Sequence, residues 1–293
     1  PSTPASFVAD VSLVSYYTGA NSLFDGRLTL VNRLTNTWAT RLSSTCGAPC
    51  AGSPAGREAL LTQTLEEAFE LDGSALPSTA TSMSFDPFGN PTDVTVATSD
   101  GYSKVTNNLY ANDVANWVLG RLTSATVTMT KPDNSASTRK SSFAYHGLNA
   151  SCASASPAPQ AFGYLCEETI EPDLANDTAS GYSLWQKTAH QYDAFGNRQA
   201  TTLSFKERDG STRSRTTSTG YSADGRFPLT ITNALGHQET REYDTTFGTL
   251  NRLIDPNGVA TERLFDGLGR VYGERVTDAS GQRIAETFTA LEA

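Results

Sequence analysis

Charge is scarce in this 293-residue chain: Asp, Glu, Lys and Arg make up 18% of it, below the roughly 25% of ordinary soluble domains. The charge present is acidic on balance, 22 Lys+Arg against 31 Asp+Glu, for a formal net charge of −9. A nucleic-acid backbone is repelled by such a surface, so nucleic acid is excluded as a partner. Methionine is nearly absent, with 2 residues, and lysine is sparse, while Thr, Val, Tyr and Phe suit a pleated, half-buried surface; an all-helical fold is set aside. Apolar runs extend only a few residues, far short of the roughly 18 of a helical membrane span. Cysteine is limited to 4, and the chain is too long to be a miniprotein held by disulfides. The start, Pro1 to Pro4, lacks the basic and apolar stretches of a signal peptide, and the end, Phe288 to Ala293, falls where a repeat would begin. Both suggest a piece of a longer polypeptide.

Repetition is what the chain does have. An aromatic residue followed by a turn recurs as YSADGR from Tyr221, YDTTFG from Tyr243 and FDGLGR from Phe265, with a further ring at Phe288. The spacings are 22, 22 and 23. A second series of turns interleaves with the first: NALG from Asn233, DPNG from Asp255 and DASG from Asp278. Two Gly-bearing turns per period leave two stretches of strand length, so each unit is a β-hairpin. The same corner occurs upstream as FDPFGN from Phe85 and YDAFGN from Tyr192. Its structural residues are therefore Phe85, Asp86, Gly89, Tyr192, Asp193, Gly196, Tyr221, Gly225, Tyr243, Asp244, Gly248, Phe265, Asp266 and Gly269. Asp and Gly suit the turn, and each ring is expected to pack on the corresponding ring of the next hairpin.

Further hairpins are signalled at Asp72–Gly73, Asp100–Gly101 and Asp209–Gly210, and strands by Phe7 to Leu13 and by Leu28, Leu30 and Leu34. One helix competes: Ser53 and Pro54 could open it, and Leu61, Leu65 and Phe69 recur every four residues. Asp72 and Gly73 favour a strand from Leu65 to Leu71 instead. Alternation along Val259, Thr261, Arg263 and Phe265 is imperfect, which suggests a wet or partly filled interior.

Chemistry is thinly represented. His146, His190 and His237 are scattered, with no Cys at zinc spacing, so no metal or cofactor is expected. No G-x-S-x-G elbow exists, and the Gly-Tyr-Ser triplets at Gly101, Gly181 and Gly220 read as strand starts. Glu66 with Glu67, and Glu167, Glu168 and Glu171, read as solvated strand faces, and Asp255, Asn257 and Gly258 as a turn lacking the Glu of a calcium loop. No catalytic residue emerges. The cysteines form two local pairs, Cys46 with Cys50 and Cys152 with Cys166; local disulfides are one of three connectivities, and free thiols the alternative. If formed, they favour an exported location. Trp38, Trp117 and Trp185 could stack on sugars if exposed, or pack internally.

The aromatic-Asp-x-x-Gly corners at a spacing near twenty resemble the YD repeats of the Rhs/YD-repeat family, including SpvB-like and Tc-toxin B/C components. The resemblance is strong from Tyr192 to Phe288, extends from Phe85 through Gly101 to Leu122, and before residue 80 rests on Phe24 to Asn32. It implies an all-β fold of successive antiparallel hairpins forming a curved segment of a hollow shell. It also implies a bacterial, secreted or surface location and a role in enclosing and delivering a C-terminal toxin, with the rest of the polypeptide and that toxin as partners. The family's self-cleaving C-terminal core has no counterpart; Asp86–Pro87 and Asp255–Pro256 read as turns. Four segments follow: 1–80, 81–150, a Cys-containing connection at 151–184, and repeats over 185–293. The competing expectation is an adhesin-like module binding glycans or protein. Unpaired sheet edges would favour self-association.

Overall fold

The computed structural model describes residues 14–16, 32–42, 57–70, 72–148, 152, 163–175 and 183–289. Among them the chain is antiparallel β throughout, apart from one 3-10 turn at Pro172–Leu174. It forms two compact units, Pro1–Phe143 and Ala144–Ala293.

In the first unit, β1 (Val14–Tyr16), β2 (Asn32–Leu42), β3 (Arg57–Ala68), β4 (Thr79–Phe85), β5 (Pro91–Thr98), β6 (Ser103–Asp113), β7 (Val118–Thr130) and β8 (Ala136–Tyr145) follow one another. Each pairs antiparallel with the next. The second unit continues with β9 (Leu165–Ile170), β10 (Gln186–Tyr192), β11 (Arg198–Lys206), β12 (Thr212–Tyr221) and β13 (Pro228–Thr232). β14 (Gln238–Asp244), β15 (Thr249–Ile254), β16 (Ala260–Phe265), β17 (Val271–Thr277) and β18 (Arg283–Phe288) complete it. Here too every strand pairs with its successor. Among the described residues, successive hairpins are thus the architecture of each unit, and those after Tyr192 contain no helix.

The helix considered from Pro54 does not form over the described residues. Leu65 is strand, opposite Thr35 on one side and Ala80 on the other. Backbone partners on both flanks outweigh a four-residue apolar spacing, and the turn at Gly73 (φ 87°) closes the hairpin. The strand expected at Phe7–Leu13, the family-like stretch Phe24 to Val31, and Cys46 with Cys50 lie outside the described residues.

Very little is buried. Among the described residues the buried apolar side chains are Cys166, Trp185, Tyr192 and Ala260, joined by Glu171 and His190. Most strand side chains are half-buried, as expected where a sheet lacks a second layer packed on it. Cross-strand hydroxyl pairs such as Thr202–Thr216 (2.9 Å) and Thr128–Thr138 (3.1 Å) use the abundant threonine on such faces.

Candidate functional site

Each aromatic corner is a tight turn closed by a left-handed glycine, whose N–H returns to the carbonyl three residues back, or four at Gly248. At the first, the Gly89 N–H donates to Asp86 O (3.2 Å) and the Asp86 N–H to Asn90 O (2.9 Å). The glycines of all five motifs carry φ between 70° and 86°, a conformation that strains residues with a Cβ. The aspartate caps the turn: Asp86 Oδ1 accepts the N–H groups of Phe88 (2.8 Å) and Asn90 (2.9 Å). Asp193 repeats this with Phe195 and Asn197, and Asp266 with Leu268 and Arg270. Where Ser222 replaces aspartate, its Oγ accepts from Arg226 and Phe227.

Directly beside each aromatic the strand register slips. The slips fall at Ser84/Phe85, Gln191/Tyr192, Gly220/Tyr221, Glu242/Tyr243 and Leu264/Phe265. One residue of the following strand is left unmatched each time: Thr92, Gln199, Leu229, Asn251 or Tyr272. Two slips of the same kind were not anticipated from the sequence, at Thr37/Trp38 and Leu109/Tyr110. Their common signal is the ring at the slip, but both rings lie inside their strands and no Asp-x-x-Gly corner directly follows them. Such bulges add local twist and shift the in/out alternation of the strand that carries the extra residue.

The corners also dock on one another. A Cβ added to Gly225 would lie 2.4 Å from the Phe195 ring, one added to Gly269 would lie 3.2 Å from Phe247, and one added to Gly196 would lie 3.1 Å from Tyr164. Asn197 Nδ2 donates to Gly225 O (2.7 Å). In the first unit Asn112 Nδ2 donates to Asp86 Oδ2 (3.1 Å), while Asn112 Oδ1 accepts from the Gly120 N–H (2.7 Å). The expected packing of ring on corresponding ring is replaced by a different one: Tyr243 stacks on Phe227 (4.9 Å between centroids), and Tyr192 meets the edge of Tyr164 (5.2 Å) while its hydroxyl donates to Leu165 O (2.8 Å). Phe227 follows directly on the corner that precedes Tyr243.

Across the second unit runs a row of alternating charge. Register places Glu242 opposite Arg252, Arg252 opposite Glu262, Glu262 opposite Arg275, and Arg275 opposite Glu286. Arg252 donates to Glu242 (3.1 Å), and Arg275 reaches both Glu286 (2.9 Å) and Glu262 (3.4 Å). Glu286, hydrogen-bonded first by Arg275 and then by Arg283, titrates below its ordinary range.

The other sequence candidates separate. His237 sits in the exposed turn of Asn233, and its N–H donates to Asn233 Oδ1 (3.1 Å). His190 is buried, with Nδ1 3.1 Å from Thr201 Oγ1; burial and then the charge of Arg198 hold it below the usual imidazole range. Glu67 pairs with Arg33 (2.6 Å), and Glu167 with Lys187 (2.8 Å). Asp255 Oδ1 caps its own turn through Asn257 and Val259. His146, in contrast, lies with a joined Cys152–Cys166 pair. Trp185 is buried and Trp117 67% exposed. A groove of about 670 Å³ lies along Val96, Tyr102, Lys104, Met129 and Lys131.

No protein-family model and no curated protein matches the chain. In fold it is similar to the crystal structure of TcdB2–TccC3 lacking the hypervariable C-terminal region: 12% identity, 85% of this chain and 15% of that one, TM-score 0.59. A Tc holotoxin pore from Photorhabdus luminescens also matches, at 13% identity over 90% of this chain and 14% of that one, but its TM-score of 0.35 is too low for a comparison of folds. The chain spans about 15% of the length of the first of these structures.

Proposed function

We propose that this chain is a non-catalytic wall segment of an Rhs/YD-repeat β-shell, secreted or displayed by a bacterium, that helps to enclose and deliver a toxic C-terminal region. The observation that carries this reading is the fold shared with TcdB2–TccC3 over most of the chain, combined with corners that lock hairpin to hairpin. Such corners stiffen a one-layer sheet without a second layer behind it, which a wall requires and a reactive centre does not. The Cys152–Cys166 pair agrees with export. The test is protease protection in the natural full-length polypeptide: any C-terminal cargo should resist digestion while the shell is intact and become digestible when Gly225→Val and Gly269→Val are introduced. Equal digestion of cargo in native and altered shells would refute enclosure.

A binding module has one observation in its favour, the groove beside the half-exposed Tyr102 and Met129. Glycan-array binding lost on Tyr102→Ala would favour that reading; no binding at high protein concentration would remove it. In either case sheet edges are expected to promote self-association, and light scattering showing a monomer at every concentration would refute that.

A further inference from the structure

Beside the end of β8 and the start of β9, three donor atoms that the sequence holds apart lie together. Sγ of Cys152, Sγ of Cys166 and a ring nitrogen of His146 all lie within 4.8 Å of one another. Cys166 is fully buried, and Nε2 of His146 is buried without a hydrogen-bond partner. His146 is held through its backbone and against its ring. Its backbone N–H donates to Tyr164 O (3.0 Å) and its carbonyl accepts from the Gly163 N–H (2.7 Å), while the edge of the ring meets Tyr192 (5.9 Å between centroids, 79°). Ala144 O lies 3.2 Å from Cys166 Sγ, ready to accept from that thiol when it is reduced.

We propose that the Cys152–Cys166 pair is a two-state site: a disulfide when oxidised and, with His146, a three-donor site for one zinc ion when reduced. A dithiol reductant supplies two electrons and two protons, opening the S–S bond to two thiols and itself closing to a disulfide. A zinc ion then displaces the two thiol protons and takes both thiolates and the imidazole nitrogen, leaving a fourth position for water. Tetrahedral geometry with Zn–S about 2.3 Å and Zn–N about 2.0 Å asks for sulfur atoms about 3.8 Å apart and nitrogen about 3.5 Å from each. The sulfurs stand bonded and the nitrogen within 4.8 Å of both, so opening the S–S bond and an approach of about 1 Å by the imidazole reach that geometry. Two thiolates and one imidazole suit zinc over magnesium or calcium. This inference is independent of the shell reading: it concerns one loop and holds whether or not a cargo is enclosed.

The test uses the full chain with Cys46→Ser and Cys50→Ser, so that only Cys152 and Cys166 supply thiolates, and cobalt(II) as the spectroscopic stand-in for zinc. After reduction by a phosphine that does not bind the metal, one cobalt per chain should bind with a near-ultraviolet thiolate-to-metal charge-transfer band, and zinc should displace it. The oxidised chain should show no band. Cys152→Ser should abolish the tight site. His146→Ala and His146→Gln should keep the sheet signal in circular dichroism and weaken zinc binding by at least roughly tenfold, since even outer partners of metal ligands cost that much. Absence of a charge-transfer band in the reduced chain would overturn the proposal, as would zinc affinity unchanged in both His146 variants.

Discussion

The ring of Phe195 covers the face of Gly225 where a side chain would begin, at 2.4 Å from the position a Cβ would take. Two independent demands fall on that glycine: a left-handed backbone, φ 72°, and room for a ring from the preceding corner. Gly236 carries the first demand alone, with φ 83° and nothing within 4 Å of the Cβ position.

Replacing Gly236 with Ala should therefore cost only the backbone term, about 1–2 kcal/mol. Gly225→Ala should cost more than that, and adding Phe195→Ala should recover part of the excess. Urea midpoints for the two single variants and the double variant measure this. Equal losses at Gly225 and Gly236, or strict additivity with Phe195→Ala, would contradict docking of corner on corner.

The aspartate caps make a separable prediction. Asp193→Ala removes the acceptor for Phe195 and Asn197 and should cost about 1 kcal/mol. Asp193→Asn keeps a carbonyl oxygen at the same place and should lose less. Thermal unfolding of the two variants side by side decides; an Asn variant as weak as the Ala variant would mean that charge, not the acceptor, holds the turn.

Acid should weaken the fold in two windows. Burial pushes Asp86 and Asp193 upward, but hydrogen bonds led by the side chains of Asn90 and Asn197 outweigh it, so both titrate below the ordinary range. Asp266, held first by the Arg270 N–H, and Asp278, held first by the Ser280 hydroxyl, are lowered too. The unfolded chain takes up these protons first, so the stability they confer is present above about pH 3.9 and is lost as pH falls through the lower folded values. His190 is also lowered, by burial and then by Arg198. Unfolding therefore gains a proton there below about pH 6.5, and stability begins to decline at that point. Burial lowers His146 in the same way, so urea midpoints measured across this range should show an early shallow decline, reduced in a His190→Gln variant, followed by a steeper one.

The charge row should be modest and screened. Arg275→Ala leaves Glu262 and Glu286 facing each other across one strand and should lower the urea midpoint slightly at low salt, less in molar salt. A loss independent of salt would assign the effect to the packing of the arginine stem.

Much of this was legible in the residues because it is local. Asp193 and Gly196 sit in the same short segment as the turn they build, so their types alone announce the corner. Strands β10 to β18 follow from such turns, because a stretch of six to ten residues between two of them has little choice but to pair with its neighbour. Tyr110 and Trp38 escaped notice since their slips depend on what lies across the ladder at Leu122 and Leu61, and no Asp-x-x-Gly corner directly follows them. The alternating row from Glu242 to Glu286 was equally hidden: its members are ten to thirteen residues apart, and a one-residue bulge decides which face each one takes.

What the sequence by itself determined is the punctuation: where the chain turns, that it turns through left-handed glycine capped by aspartate, and that the pieces between are strands. These are preferences of single residues and their nearest neighbours. Only tertiary structure decided what each corner touches, that Phe195 lies over Gly225, that Tyr243 meets Phe227, and that His146 stands beside two distant cysteines. Those contacts follow from register, and register is settled by the summed pairing of whole strands, a quantity no short segment carries.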